Sequence, residues 1–276
     1  MTGSEALARG VRLLRDAGVP EPASDARRLL AHALSVDPGR LTLVLPDPMT
    51  RATSEAYGTF LARRAKREPV SHLVGARLFW GREFLVTADV LDPRPETEIL
   101  VASALEEPFR RVLDLGTGSG CLLVTLLAEN PGATGIGLDL SPKAIEVARA
   151  NAARQGAADR AAFVLSDWFA AVDSRFDLVV SNPPYIAPAE MPALEPEVRD
   201  HEPRMALTDE SDGLTAYRAI LAGARAHMTP GARLLLEHGP TQAESIAELG
   251  QAQGFAAPEV RRDFDGRARV CLFRAP

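Results

Sequence analysis

The sequence predicts an α/β protein, a parallel sheet covered on both faces by helices, with a small helical module and a β-hairpin ahead of it. Three observations predict this. Residues 1–70 place apolar side chains at helical spacing. The next twenty or so residues switch to short aromatic and β-branched runs about a glycine. From residue 96 onward, strand-sized apolar stretches alternate with helical ones.

In the first segment, Leu7, Val11 and Leu14 share one helical face, and Ala26, Leu29, Leu30, Ala33 and Leu34 share another. Gly18, Pro20 and Pro22 separate the two helices, and Ser24 or Asp25 is positioned to cap the second. Asp37-Pro38-Gly39 and Pro46-Asp47-Pro48 mark turns, and a third helix is expected from Ser54 to Arg67. Leu78-Phe79-Trp80 and Phe84-Leu85-Val86 flank a turn at Gly81-Arg82, which reads as the hairpin. Strands are expected at Arg111–Leu115, Thr134–Leu138, Ala162–Leu165, Leu178–Ser181, Arg233–Glu237 and Val270–Phe273, with helices between them, notably Gly120–Glu129 and Pro142–Gln155. The boundaries that follow are a helical domain over 1–72, a linking hairpin over 73–92 and an α/β domain over 93–276.

Composition narrows the function classes. The 276 residues carry a net charge of −6, which argues against a dedicated nucleic-acid binder with a strongly basic face. Residues 1–70 hold 11 basic side chains against 8 acidic ones, so a mild positive excess is confined to the helical module. Cys121 and Cys271 lie far apart in apolar surroundings, which excludes a disulfide framework and a cysteine zinc site, and no metal is expected. No run approaches the length of a membrane span, and the opening MTGSEALARGVRLL lacks the apolar core of a secretory signal. A cytoplasmic protein is expected.

Val112-Leu113-Asp114-Leu115-Gly116-Thr117-Gly118-Ser119-Gly120 is a buried strand that runs through a glycine turn into a helix. Glycines admit positive φ and let a ligand approach without meeting a Cβ, and the helix then offers free N–H groups. Cys121 stands where a nicotinamide fingerprint needs its third glycine. Asp114 suits a cationic ligand better than a phosphate. Asp139 ends the next strand, where a carboxylate accepts both hydroxyls of a ribose or caps the following helix. Asp167 and Trp168 follow the third strand; an acid and an aromatic there suit an adenine amino group and ring face, or else a turn and a core plug.

Ser181-Asn182-Pro183-Pro184-Tyr185 decides the chemistry. It follows a strand, so it faces the glycine loop across the carboxyl ends of the sheet. The prolines stiffen the turn and fix the Pro183 carbonyl beside the Asn182 side-chain carbonyl. Two convergent acceptors suit an –NH2 group on an sp2 carbon, whose delocalised lone pair makes it a poor nucleophile. Holding both hydrogens orients the nitrogen toward a methyl donor and stabilises the charge that develops. Tyr185 lays its ring against the planar group.

The DLGTGSG and NPPY pair resembles S-adenosylmethionine-dependent methyltransferases of planar amino groups. Pro93-Arg94-Pro95-Glu96-Thr97-Glu98, Ser166-Asp167-Trp168-Phe169, Glu197-Val198-Arg199-Asp200-His201-Glu202-Pro203, Asp212-Gly213-Leu214 and Leu235-Leu236-Glu237-His238-Gly239 narrow the match. Together they resemble the bacterial release factor glutamine methyltransferase family (PrmC or HemK) over nearly the whole chain. The resemblance implies a Rossmann-like, seven-stranded class I methyltransferase sheet. It also implies S-adenosylmethionine as methyl donor and methylation of the glutamine amide in the Gly-Gly-Gln motif of class I peptide chain release factors. On this chain it implies a donor site of Gly116, Thr117, Gly118, Ser119, Gly120, Asp139, Asp167, Trp168 and Asn182. Asn182, Pro183, Pro184 and Tyr185 hold the glutamine, with Arg94 and Glu98, and Arg199 with Glu202, about the entrance. No membrane and no stable nucleic-acid partner are expected. A DNA adenine or cytosine amino-methyltransferase shares the NPPY logic, but this chain has no long target-recognition domain and no basic footprint. A binding module that has lost the reaction is disfavoured by the intact Asn182 and glycine loop.

Overall fold

Residues 1–263 and 265–276 are described by a computed structural model. The described chain divides into two compact units. Unit 1 comprises Met1–Ala76 and, from far along the sequence, Glu195–His201; unit 2 comprises Arg77–Leu194 and Glu202–Pro276.

Unit 1 is helical. Helix α1 (Gly3–Asp16) opens with a reciprocal cap in which Thr2 accepts from the Glu5 amide while the Glu5 carboxylate accepts from that of Thr2. Helix α2 (Pro22–Ala33) starts at its proline, so neither Ser24 nor Asp25 caps it. Asp25 is instead buried and ion-paired at 2.7 Å with Arg64. A short helix, α3 (Leu41–Val44), precedes α4 (Arg51–Arg64), and α5 (Val70–Val74) follows. Helix α4 begins three residues earlier than its apolar spacing suggests because Thr50 caps it through the Thr53 amide. It ends by Arg64, ahead of the positive φ of Arg67. Leu14, Leu29, Leu30, Leu41, Tyr57 and Leu61 fill the core between these helices.

The segment Glu195–His201 contains helix α9 (Pro196–His201), numbered in chain order, and Glu197 carries its attachment. Arg64 reaches Glu197 at 2.7 Å and Arg67 grips it with two bonds of 2.6 Å. Burial works against ionising Glu197, yet Arg67 and Arg64 together hold its carboxyl below the ordinary range.

Unit 2 is built on the predicted sheet. A hairpin, β1 (Ala76–Phe79) and β2 (Arg82–Leu85), turns at Trp80 and Gly81, one residue before the expected pair. Both turn residues have positive φ, the geometry of the two-residue turns that match strand twist. Helix α6 (Glu98–Leu105) leads to β3 (Arg111–Leu115), α7 (Cys121–Glu129), β4 (Thr134–Asp139), α8 (Pro142–Arg154), β5 (Ala161–Leu165) and β6 (Phe176–Ser181). Helices α10 (Arg204–Leu207) and α11 (Thr215–Ala224), β7 (Met228–Glu237), α12 (Ala243–Ala252), β8 (Glu259–Arg262) and β9 (Ala268–Arg274) complete it. The strand order is β5-β4-β3-β6-β7-β9-β8.

Strands β5 to β7 pair in parallel, as expected, whereas β9 runs antiparallel to both β7 and β8. The sheet is therefore mixed rather than parallel throughout. Strand β8 reads Glu-Val-Arg-Arg and lies at the sheet edge, so it carries no apolar run for a sequence pattern to detect. The chain proceeds outward from β3 in one direction to β5 and then returns to β3's other side as β6. Their register pairs Leu115 with Ser181, and the Ser181 hydroxyl donates to the Leu115 carbonyl at 2.7 Å. The glycine loop and the Asn-Pro-Pro-Tyr turn thus leave adjacent strands at one level, at the switch point where α/β sheets bind ligands.

Close packing of β4 gives a first prediction. A Cβ on Gly135 would stand 2.5 Å from Leu123 Cδ1 and 2.6 Å from Val112 Cγ1. Gly135→Ala is expected to lower stability by about 1–3 kcal/mol, measured by urea unfolding. An unchanged midpoint would show that β3 and α7 yield freely.

Candidate functional site

A cavity of about 530 Å³ opens where the parallel strands end. One wall is the glycine loop. Gly116 and Gly118 have φ of +70° and +53°, and a Cβ on either would meet nothing within 4 Å. Both residues line the cavity, so that open space is where a ligand can lie against bare backbone. Thr117 and Ser119 line it as well. Gly120 caps α7 away from the lining; a Cβ there would come within 3.0 Å of Ala148 Cβ, so its smallness serves the packing of α7 on α8.

Asp139 fixes the loop. One carboxylate oxygen accepts from the Gly118 amide and the other from the Ser141 amide, both at 2.8 Å. Ser141 is the cap of α8, through the Ala144 amide, so Asp139 is not needed for that role. Each oxygen keeps a lone pair for a ligand hydroxyl. Burial raises the Asp139 pKa against the pull of these amides.

Asp114 does not line the cavity. It is wholly buried beneath the loop, where it accepts the Thr117 hydroxyl at 2.6 Å. Burial pushes its pKa up to about 7. The folded value lies above the unfolded one, so the stability this carboxyl contributes is complete below about pH 4 and is lost as pH rises through 7. In the absence of a ligand, the melting temperature is expected to fall as pH rises across this window. Asp114→Asn should flatten that fall; an identical slope in the variant would assign it to other groups.

Asp167 and Trp168 form the cavity's flank after β5, beside Ser166. Trp168 is held at a φ of +46°, a conformation costing about 1–3 kcal/mol for a residue with a side chain. Ser166 supports it by donating to the Trp168 carbonyl at 2.8 Å and accepting from the Ala171 amide at 3.1 Å. Such strain persists where the surroundings over-determine the backbone.

Asn182 and Pro184, after β6, also line the cavity. The Asn182 Nδ2 donates to Thr97 Oγ1 at 3.2 Å, which leaves the amide oxygen as the free acceptor. Pro183 is buried and lies outside the lining, as does Tyr185. Burial pushes the Tyr185 phenol up to about 12, so it stays neutral. Its backbone is clamped: the Tyr185 carbonyl accepts from Gln242 Nε2 at 3.0 Å, and a Cβ on Gly213 would stand 2.4 Å from the same oxygen.

The charged residues expected at the entrance separate. Arg94 lines the cavity and donates through one nitrogen to both oxygens of Glu202, each at 2.7 Å. Burial of Glu202 outweighs that partner and pushes its pKa up to about 7. Glu98 faces elsewhere, taking the Trp80 amide at 2.8 Å at the hairpin turn. Arg199 lies in unit 1 and forks onto Asp200. Asp89, Val90 and Leu91 also line the cavity and were not anticipated, because an unpatterned loop gives no periodic signal; Met205, in the four-residue α10, lines it too, and so short a helix carries no periodicity to read. Thr97 falls within the Pro93–Glu98 motif, but its bond to Asn182, like those of Gln242 to Tyr185, Gly213 and Gly239, is a tertiary contact that sequence spacing does not announce. Among the described residues, no group of three or more His, Cys, Asp or Glu could hold a metal, and no helix is long and apolar enough to cross a membrane.

Comparison with known proteins follows from this geometry. The PrmC N-terminal domain family matches residues 5–75, and the methyltransferase small domain family matches residues 87–195. The chain is 57% identical, over all of its length and 99% of the relative's, to a release factor glutamine methyltransferase of Cereibacter sphaeroides. A release factor glutamine methyltransferase of Rhodospirillum rubrum is 45% identical over 97% of this chain and 83% of that protein. Among solved structures, a methyltransferase from Pyrococcus furiosus superposes with a TM-score of 0.56 at 17% identity, over 77% of this chain and 97% of that one. The T. thermophilus 16S rRNA N2 G1207 methyltransferase, solved with AdoMet and guanosine, gives 0.51 at 20% identity over 73% and 50%. These likenesses show a Rossmann-like class I methyltransferase fold.

Proposed function

The chain belongs to the release factor glutamine methyltransferase family, and from that premise we propose a specific reaction. It transfers a methyl group from S-adenosylmethionine to the side-chain amide nitrogen of the glutamine in the Gly-Gly-Gln motif of class I peptide chain release factors. The observation that carries this reading is Asn182. It lines the same cavity as the glycine loop, its NH2 committed to Thr97 and its carbonyl left to accept.

The residues present fit the donor. The bare backbone of Gly116 and Gly118 gives it room, and Asp139 has lone pairs to spare for ribose hydroxyls. Asp167 and Trp168 flank the same space, where they suit an adenine ring. S-adenosylmethionine, when bound, supplies an electrophilic methyl on a sulfonium.

The remaining work belongs to the chain. The Asn182 Oδ1, on the cavity lining, takes a hydrogen of the glutamine amide, which aims its nitrogen and stabilises the positive charge it acquires. Pro184 lines the slot for the planar group, while Pro183 and Tyr185, outside the lining, stiffen and anchor the turn behind it. The nitrogen–carbon bond forms as the sulfur–carbon bond breaks, and the nitrogen then sheds a proton to solvent, so no side-chain base is required. His238 lies close by in sequence to the motif Glu237, but it is buried with Nδ1 2.7 Å from the Gly239 carbonyl, and burial pushes its pKa down.

The test is incubation with methyl-labelled S-adenosylmethionine and a purified release factor, followed by mass mapping. The label is expected on the Gly-Gly-Gln glutamine. Label on another residue, or on added DNA instead, would overturn the reading.

A further inference from the structure

We propose that Thr97 is a positioning residue for the transfer: its hydroxyl, directed by the Glu237 carboxylate, sets which way round the Asn182 amide is held. The inference deepens, and rests on, the role given to Asn182 above.

An asparagine amide has nearly the same shape in its two orientations, which differ only in whether oxygen or nitrogen faces the ligand. Steric packing therefore cannot choose between them; a hydrogen-bond partner must. Here that partner is Thr97 Oγ1, 3.2 Å from Nδ2. A hydroxyl alone is ambivalent, because it donates or accepts equally well. Its second neighbour removes the ambivalence. The Glu237 carboxylate stands beside Thr97, whose hydroxyl favours its ionised form, and an ionised carboxylate only accepts. With its proton committed to Glu237, the Thr97 oxygen has only lone pairs to offer Asn182. The amide must then present NH2 to Thr97 and its carbonyl toward the glutamine. The reverse orientation would set two oxygens against each other and aim N–H groups at the hydrogens of the substrate.

Every part of this relay is rigidly placed. Thr97 ends a single tight turn, Pro95–Thr97, closed by its own amide on the Arg94 carbonyl at 3.1 Å. Thr97 is 2% exposed and Glu237 1%. The Glu237 backbone carbonyl accepts from the Tyr217 hydroxyl of α11 at 2.8 Å. Its Oε2 is buried without a protein partner, so the side chain is not consumed by a structural network. Around it stand Arg269 and Arg94, which favour the ionised form, Glu96, which opposes it, and the neutral Tyr185, Tyr217 and Cys121. Burial raises the Glu237 pKa to about 7, so the relay is fully directed above that pH.

The test compares the wild-type chain with Thr97→Val and Thr97→Ser, assayed on a release factor above the pH at which Glu237 ionises. Thr97→Val is expected to lose roughly 10–100-fold in kcat, while KM for the release factor and the donor Kd stay within about twofold. Thr97→Ser keeps the hydroxyl and should remain within about threefold of wild type in kcat. If the valine variant does not fold, Thr97→Ala takes its place with the same expectation. Wild-type kcat in the valine or alanine variant overturns the proposal. So does a loss shared equally by serine, or one that appears in donor affinity to the same extent. Absence of transfer by the wild-type chain would instead overturn the functional reading itself.

Discussion

Asn182→Ala is expected to lower methyl transfer to a release factor by about 10³-fold while donor affinity stays within about threefold. The asymmetry follows from where the side chain acts. Asn182 lines the cavity from the turn after β6 rather than from the glycine loop, and its committed contact is with Thr97, not with the glycine backbone. Removing the amide leaves Gly116, Gly118 and Asp139 in place, so the donor keeps its main contacts. What is lost is an acceptor that matters most as charge builds on the attacking nitrogen, and such losses fall on kcat. Initial rates with labelled donor, set beside calorimetric donor binding, check both halves. A variant that keeps near-full turnover would remove Asn182 from the mechanism.

Asp139→Ala should show the opposite split. Donor affinity is expected to fall by about 10²-fold, with kcat at saturating donor within a few-fold of wild type. Two effects combine. The variant loses an acceptor for the ribose hydroxyls, and it frees the Gly118 and Ser141 amides that the carboxylate now holds at 2.8 Å. The glycine loop then has to be ordered by the donor itself, at the donor's expense in binding free energy. Calorimetry measures the first quantity and a donor titration of the rate the second. Wild-type affinity in the alanine variant would reduce Asp139 to a local brace.

Much of this site was legible because it depends on backbone rules that leave traces in sequence. The apolar strand Val112–Leu115 and the glycines after it announce a strand, a turn and a ligand loop, and Ser181-Asn182-Pro183-Pro184 announces a second stiff turn at a strand end. Parallel pairing of β3 with β6 then brings the two turns level. Side-chain partners were less legible. Glu98 could be assigned to the entrance only by its neighbours in sequence, yet its carboxylate serves the Trp80 amide. Asp25 has the composition of a cap but is a buried partner of Arg64, since Pro22 had already begun the helix. Strand β8 exists because β9 offers it an edge, not because Glu-Val-Arg-Arg favours a strand. In each case a tertiary contact, invisible to local spacing, made the choice.

The split composition of unit 1 has a consequence for biosynthesis. Its helices leave the ribosome first, but its last piece, Glu195–His201, lies beyond 118 intervening residues. At ordinary elongation speeds that is a wait of about 6–24 s. During it, the buried Arg64 has Asp25 but not Glu197, and Arg67 lacks the carboxylate it will later grip. The nascent unit is therefore expected to melt lower than the finished one, which a chain ending at Ala76, measured with and without a peptide of residues 195–201, would reveal. A hold-up of translation in this interval would leave the helical bundle without the carboxylate that Arg64 and Arg67 share in the finished unit.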